Sequence, residues 1–121
     1  MELNREELEK AISLLSSTIA NCEKMQLKFS EGTSQHSLLK NRIQALYISK
    51  DLLSGDKATN YTSKDLREAL PPIVSIINKT TKAQSKYEKG SSQFKRFQHI
   101  IQAMIISKTF IEGQINTDSK L

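Results

Sequence analysis

The sequence predicts an all-α protein, an antiparallel four-helix bundle built from two tandem helical-hairpin repeats, and three observations predict it. Sliding the chain against itself by 58 residues (63 − 5) aligns 5–55 with 63–113 without a gap. Roughly a third of the aligned pairs are identical, where chance would give roughly three, so one unit is duplicated. Each unit reads as helix, tight turn, helix, with apolar residues at alternating steps of four and three on either side of a glycine followed by capping hydroxyls. The composition favours helix: of 121 residues 37% are hydrophobic and 26% charged, with four Gly, two Pro and no Trp. That length supports one core and one domain. A lone hairpin would leave an apolar stripe bare on both helices, and a second hairpin covers it.

Asn4 can cap the first helix, with Glu7 three residues on, and Leu8, Ile12, Leu15, Ile19, Cys22 and Phe29 form its stripe. Gln26 fills the one missing place. The second helix starts after Gly32 with Thr33 or Ser34 as its cap, carries Leu39, Ile43, Leu46 and Leu53, and stops naturally at Gly55. Repeat 1 therefore spans 4–55, and residues 56–61, with turn composition, form the linker.

Repeat 2, at 62–115, carries Leu66, Leu70, Ile73, Ile77, Thr80 and Tyr87 on the stripe of its first helix, with Gln84 in the place of Gln26. Leu70-Pro71-Pro72 stands where repeat 1 has Ile12-Ser13-Leu14. A proline inside a helix removes a hydrogen bond and disfavours helical geometry in the residue before it. The expected result is a kink, or a helix that begins properly only at Pro72 after a separate turn at 63–69. The fourth helix follows Gly90, with Ser91 or Ser92 as its cap and Phe97, Ile101, Met104 and Ile111 on its stripe. The closest stretch of the two repeats lies in the second helices, where Ile43-Gln-Ala-Leu-Tyr-Ile-Ser-Lys matches Ile101-Gln-Ala-Met-Ile-Ile-Ser-Lys. Residues 116–121 read as a flexible tail.

The single cysteine, Cys22, excludes an intramolecular disulfide, and no Cys/His set has zinc-site spacing. The acidic start Met1-Glu2-Leu3-Asn4-Arg5-Glu6-Glu7 lacks the basic and apolar run of a signal peptide, and no apolar stretch is long enough to span a bilayer. The expectation is a cytoplasmic protein with no membrane partner. Residues 1–58 balance eight basic against eight acidic side chains, while 59–121 hold ten against five, so the net charge of +5 lies in the second half.

Two polar features are candidate sites. The turns Gly32-Thr33-Ser34 and Gly90-Ser91-Ser92, with Lys28 and Lys86 just before them, either cap a helix or present free N–H groups to a phosphate or carboxylate. The basic patch Lys79, Lys82, Lys86, Lys89, Lys95 and Arg96 is either a solvated face or a surface for nucleic acid, an anionic nucleotide or an acidic protein. Gln26 and Gln84 either meet near the pseudo-twofold axis and fix the register of the hairpins or line a polar pocket for a ligand, and the first is the expectation. Lys50 and Lys108 fall on the second-helix stripes, where Glu7 and Asp65 could pair with them.

His36 and His99 occupy non-equivalent places and no Glu-x-x-His pair is present, so the sequence predicts neither enzyme, metal nor cofactor. The runs Arg5-Glu-Glu-Leu-Glu-Lys-Ala, Cys22-Glu-Lys, Glu31-Gly-Thr-Ser-Gln-His and Leu39-Lys-Asn-Arg-Ile-Gln-Ala-Leu resemble a group of short bacterial and phage helical-hairpin proteins. The resemblance covers each repeat, the first more faithfully, and implies the hairpin unit and a phage or mobile-element origin but no activity. The functional expectation is an adaptor, inhibitor or regulator acting through protein–protein interaction, with a homodimer left open. The alternative is a binder of nucleic acid or an anionic nucleotide through the basic second hairpin.

Overall fold

The computed structural model describes residues 3–55 and 61–119 and places them in four helices, α1 (Arg5–Gln26), α2 (Ser34–Leu53), α3 (Ser63–Gln84) and α4 (Ser92–Ser119). The starts follow from the caps. Asn4 accepts from the Glu7 N–H at 2.8 Å, and Thr33 from the His36 N–H at 3.2 Å. Thr62 and Asp65 form a reciprocal capping box, and Ser91 accepts from the Phe94 N–H at 3.1 Å. Gly32 and Gly90 take left-handed φ values of 90° and 91°, which only glycine adopts without strain, so the two tight turns share one geometry.

Adjacent hairpin helices run antiparallel across these turns. The Tyr61 hydroxyl donates to the Asp51 carboxylate, seating the start of α3 against the last turn of α2, so that pair is antiparallel as well. Both tight turns therefore sit at one end of the bundle and the connection between hairpins at the other. The linker at 56–61 lies outside the described residues apart from Tyr61.

α2 and α4 each touch all three other helices, whereas α1 and α3 do not meet among the described residues. The cross-section is a rhombus whose short diagonal joins α2 and α4. Small residues fill these central helices: Ala45, Ser49, Ala103 and Ser107 are all within 2% of full burial. Short side chains let helix axes approach, and the two serine hydroxyls are satisfied by the carbonyls of Ala45 and Ala103 at 2.8 Å. Around them pack Leu15, Leu46, Ile48, Leu66, Ile73, Met104 and Ile111.

The structure corrects several expectations. α3 is one continuous helix with Pro71 and Pro72 inside it, and no separate turn occupies 63–69. The prolines deprive the carbonyls of Arg67 and Glu68 of their usual donors, but both residues are exposed, so water can take that place. α4 runs on to Ser119, beyond the end at 115 read for the second repeat, although the chain past 119 is outside the described residues. Phe29 and Tyr87, placed on the core stripes, are 37% and 43% exposed, because each lies beyond the end of its helix. Ala11 and Ala69, left off those stripes, are buried, because α1 and α3 each face two neighbours rather than one.

Gln26 and Gln84 make a further correction. Each bonds within its own hairpin. The Gln26 amide donates to the His36 carbonyl at 3.4 Å, and the Gln84 amide donates to the equivalent Phe94 carbonyl at 3.2 Å and to Gln98 Oε1 at 2.8 Å. They tie the end of one helix to the start of the next, a device repeated in both turns.

Candidate functional site

The turn end carries the sequence-predicted residues. Lys28 and Lys86 are exposed beside their turns. Thr33 Oγ1 donates to the Ser30 carbonyl at 2.8 Å while accepting from the His36 N–H, and the Ser34 and Ser92 hydroxyls each donate to the glutamine that follows, at 3.4 and 3.2 Å. The hydroxyls that could greet an anion are thus engaged by the chain itself. Gly32 and Gly90 shape the turn, with open space where a Cβ would stand.

Lys79, Lys82, Lys86, Lys89, Lys95 and Arg96 are all exposed, and none takes part in an ion pair among the described residues. The ion pairs present are exposed i,i+4 pairs elsewhere, such as Arg5–Glu9 at 3.2 Å. Lys108 pairs with Glu112 at 4.0 Å rather than with Asp65, whose carboxylate serves the Thr62 capping box, and Glu7 is taken by Asn4 at 3.0 Å. The expected pairing of Lys50 and Lys108 with those acids is therefore absent from the described contacts.

At the same end, but on hairpin 1, apolar side chains face water. Leu27 is 88% exposed and Met25 47%, with Phe29 in the turn and Leu38 in the first turns of α2. Hairpin 2 has Ala83, Ser85, Tyr87 and Arg96 in those four places. Tyr87 leans on Phe97, ring centroids 5.7 Å apart, so part of that ring is held against α4.

Two grooves, unforeseen in the sequence, run between the hairpins. One, about 920 Å³, lies between α1 and α4, with Leu3, Ala11, Leu14, Ile105 and Ile106 among its walls and Glu7, Lys10 and His99 at its edge. The other, about 600 Å³, lies between α2 and α3. They are related by the repeat. Glu7, Ala11, Gln102, Ala103 and Ile106 line the first, and their counterparts Asp65, Ala69, Gln44, Ala45 and Ile48 line the second. The signal was present in the best-matching stretch of the repeat, whose alanine and isoleucine belong to both grooves. Divergence separates them: Leu14 of the first becomes Pro72 in the second, Lys10 becomes Glu68, and His99 becomes Asn41.

Hairpin 1 holds one further polar oddity. Cys22 is buried, which pushes its thiol pKa up; the Arg42 guanidinium opposes this shift and the Glu23 carboxylate adds to it. Arg42 Nε is buried without a hydrogen-bond partner, and the equivalent residue in hairpin 2 is Ile100. Across the α1–α2 surface the Tyr47 hydroxyl donates to Glu23 at 3.3 Å, and that carboxylate raises the phenol's pKa. Among the described residues no three His, Cys, Asp or Glu side chains are grouped to hold a metal ion, and no helix is long and apolar enough to cross a membrane.

In comparisons with known proteins, no family model, no curated protein and no solved structure matches the chain.

Proposed function

We propose that the protein is a non-enzymatic interaction module, an adaptor, inhibitor or regulator, that takes an amphipathic helix of a partner protein into the groove between α1 and α4. The observation that supports this reading is the groove's lining. An open channel about 920 Å³ in size, bordered by two helices and walled by leucine, isoleucine and alanine, has the form that accepts a helix through its apolar face. Glu7, Lys10 and His99 at the edge would meet the polar flank of such a helix and set its direction.

Affinity capture from cytoplasm, with nuclease treatment and at low and high salt, tests it. A defined protein retained by the wild type under both salts and lost by Leu14→Ser with Ile105→Glu is the expected result. Both residues are partly exposed, so the helices should survive the changes, and circular dichroism checks that. A partner retained equally by that double variant would contradict the reading.

A second reading, an anionic partner bound by hairpin 2, is favoured by one observation: six exposed cations near a single turn have no acidic neighbour in ion-pair contact among the described residues. A nucleic acid or nucleotide is the partner the sequence suggests, and its signature is steep salt dependence that disappears in Lys82→Glu with Lys86→Glu.

A further inference from the structure

We infer that the turn end of the bundle is a docking surface for an anionic lipid bilayer, with the tip of hairpin 1 entering the interface and the cations of hairpin 2 resting on the headgroups. The inference rests on the second reading above, that hairpin 2 meets an anionic partner, and names the class of that partner. It departs from the expectation of no membrane partner, which rests on the lack of an apolar stretch long enough to span a bilayer.

The topology supplies the geometry. α1 and α3 are parallel, equivalent in the repeat and each 22 residues long, so their ends reach the same level and both turns face the same way. Four of the exposed large apolar side chains, Met25, Leu27, Phe29 and Tyr87, belong to these two ends. The charge around them is cationic: Lys24, Lys28, Lys82, Lys86 and Lys89 stand within a few residues of the turns, against Glu23, Glu31 and Glu88.

The pairing of chemistries selects the occupant. A nucleic acid would engage the lysines and leave Leu27, 88% exposed at the C-cap of α1, with nothing to do. A protein partner of apolar character is better served by the grooves, to which α1 and α3 contribute mostly residues from their halves away from the turns. A bilayer interface uses both features at once, taking short apolar tips to the headgroup–acyl boundary while lysine stems lie along it and their amines reach phosphate. Two projecting turns need no complementary pocket in a fluid surface.

The test uses the full chain with phosphatidylcholine vesicles, with and without phosphatidylglycerol, in flotation at about 0.15 M salt, where surface charge is screened beyond about 8 Å. Wild type is expected to partition at least about tenfold more onto the anionic vesicles, and Lys82→Glu with Lys86→Glu to lose most of that preference. Leu27→Ser should weaken binding by roughly threefold or more, the scale of one apolar side chain leaving the interface. Because the chain has no tryptophan, Leu27→Trp reports insertion directly, and its emission should shift to the blue on anionic vesicles alone.

Binding that ignores Leu27→Ser and leaves the Trp emission unchanged would be adsorption of cations only and overturns the inference. A single-stranded oligonucleotide run in parallel separates the layers. Oligonucleotide binding without vesicle binding overturns the lipid assignment and leaves the anionic reading standing, whereas binding to neither removes both.

Discussion

Hairpin 1 ends in Met25, Leu27 and Phe29, followed in α2 by Leu38, whereas the same four places in hairpin 2 hold Ala83, Ser85, Tyr87 and Arg96. Beneath these unlike tips the interior is shared. Ala45, Ile48 and Ser49 of α2 recur as Ala103, Ile106 and Ser107 of α4, and all six are buried. The contrast teaches that the α2–α4 diagonal tolerates little change, since any added volume there would push the two central helices apart. The tips contact no such neighbour, and after duplication each was free to acquire its own chemistry.

The comparison breaks most sharply in the core. Leu15 and Ile73 are equivalent in the repeat and both fully buried, so Leu15→Ala and Ile73→Ala should each destabilise the fold by about 2–5 kcal/mol, read from urea midpoints. Similar losses, with one cooperative transition throughout, would establish that the hairpins share one core. A small loss in one hairpin alone would mean that it is carried by the other.

Much of this architecture is legible in the sequence because periodicity and caps are local properties. Asn4, Thr33 and Ser91 cap where expected, and Leu15, Leu46, Leu66, Ile73, Met104 and Ile111 lie in the core. The second buried face of α2 and α4 was not legible, since Ala45, Ser49, Ala103 and Ser107 are too small and polar to register as a stripe. Their burial follows from which helices form the short diagonal, a tertiary fact. The grooves escaped for the same reason, each being bounded by one helix from either hairpin. The basic patch is legible as composition, but in the apolar tip beside it Phe29 reads as core, because its spacing continues the stripe past the end of the helix, and Met25, Leu27 and Leu38 give no signal of their own.

The proline pair gives the next test. Pro71→Ser with Pro72→Leu installs the residues of hairpin 1 in hairpin 2 and restores donors to the Arg67 and Glu68 carbonyls. A proline in a helix interior costs about 3 kcal/mol, and exposure of those carbonyls to water lessens this, so the double variant should be more stable by about 1–3 kcal/mol. No gain would show that the prolines fit the α2–α3 groove well enough to offset the lost hydrogen bonds.

The turn glutamines should differ less. Gln84 is buried and makes two hydrogen bonds, while Gln26 is partly exposed and makes a single long one. Gln84→Ala is expected to cost about 1–3 kcal/mol and Gln26→Ala about 1 kcal/mol or less, since water can reach the second site. Hydrogen exchange at the two turns would show whether the loss is local to each hairpin.

The finest distinction between the hairpins is Cys22, whose counterpart in the repeat is Thr80. Burial raises the thiol's pKa in the folded chain above its ordinary value of 9.0, and Arg42 offsets this only in part. Above the unfolded pKa the unfolded chain releases this proton while the folded chain keeps it, so the folded state binds more protons and stability falls as pH rises. The contribution is fully present below about pH 9 and fades as pH climbs through the folded value. Urea midpoints of the wild type should therefore decline more steeply above pH 9 than those of Cys22→Thr, which gives hairpin 1 the residue of hairpin 2 and removes the titrating group. At pH 8 the native thiol should react slowly with a disulfide reagent and quickly once urea unfolds the chain, because the reagent needs both access and thiolate. Parallel pH profiles for the two proteins, or a thiol that reacts at the same rate folded and unfolded, would mean that Arg42 counters the burial of Cys22 in full and that the two hairpins are alike at this position.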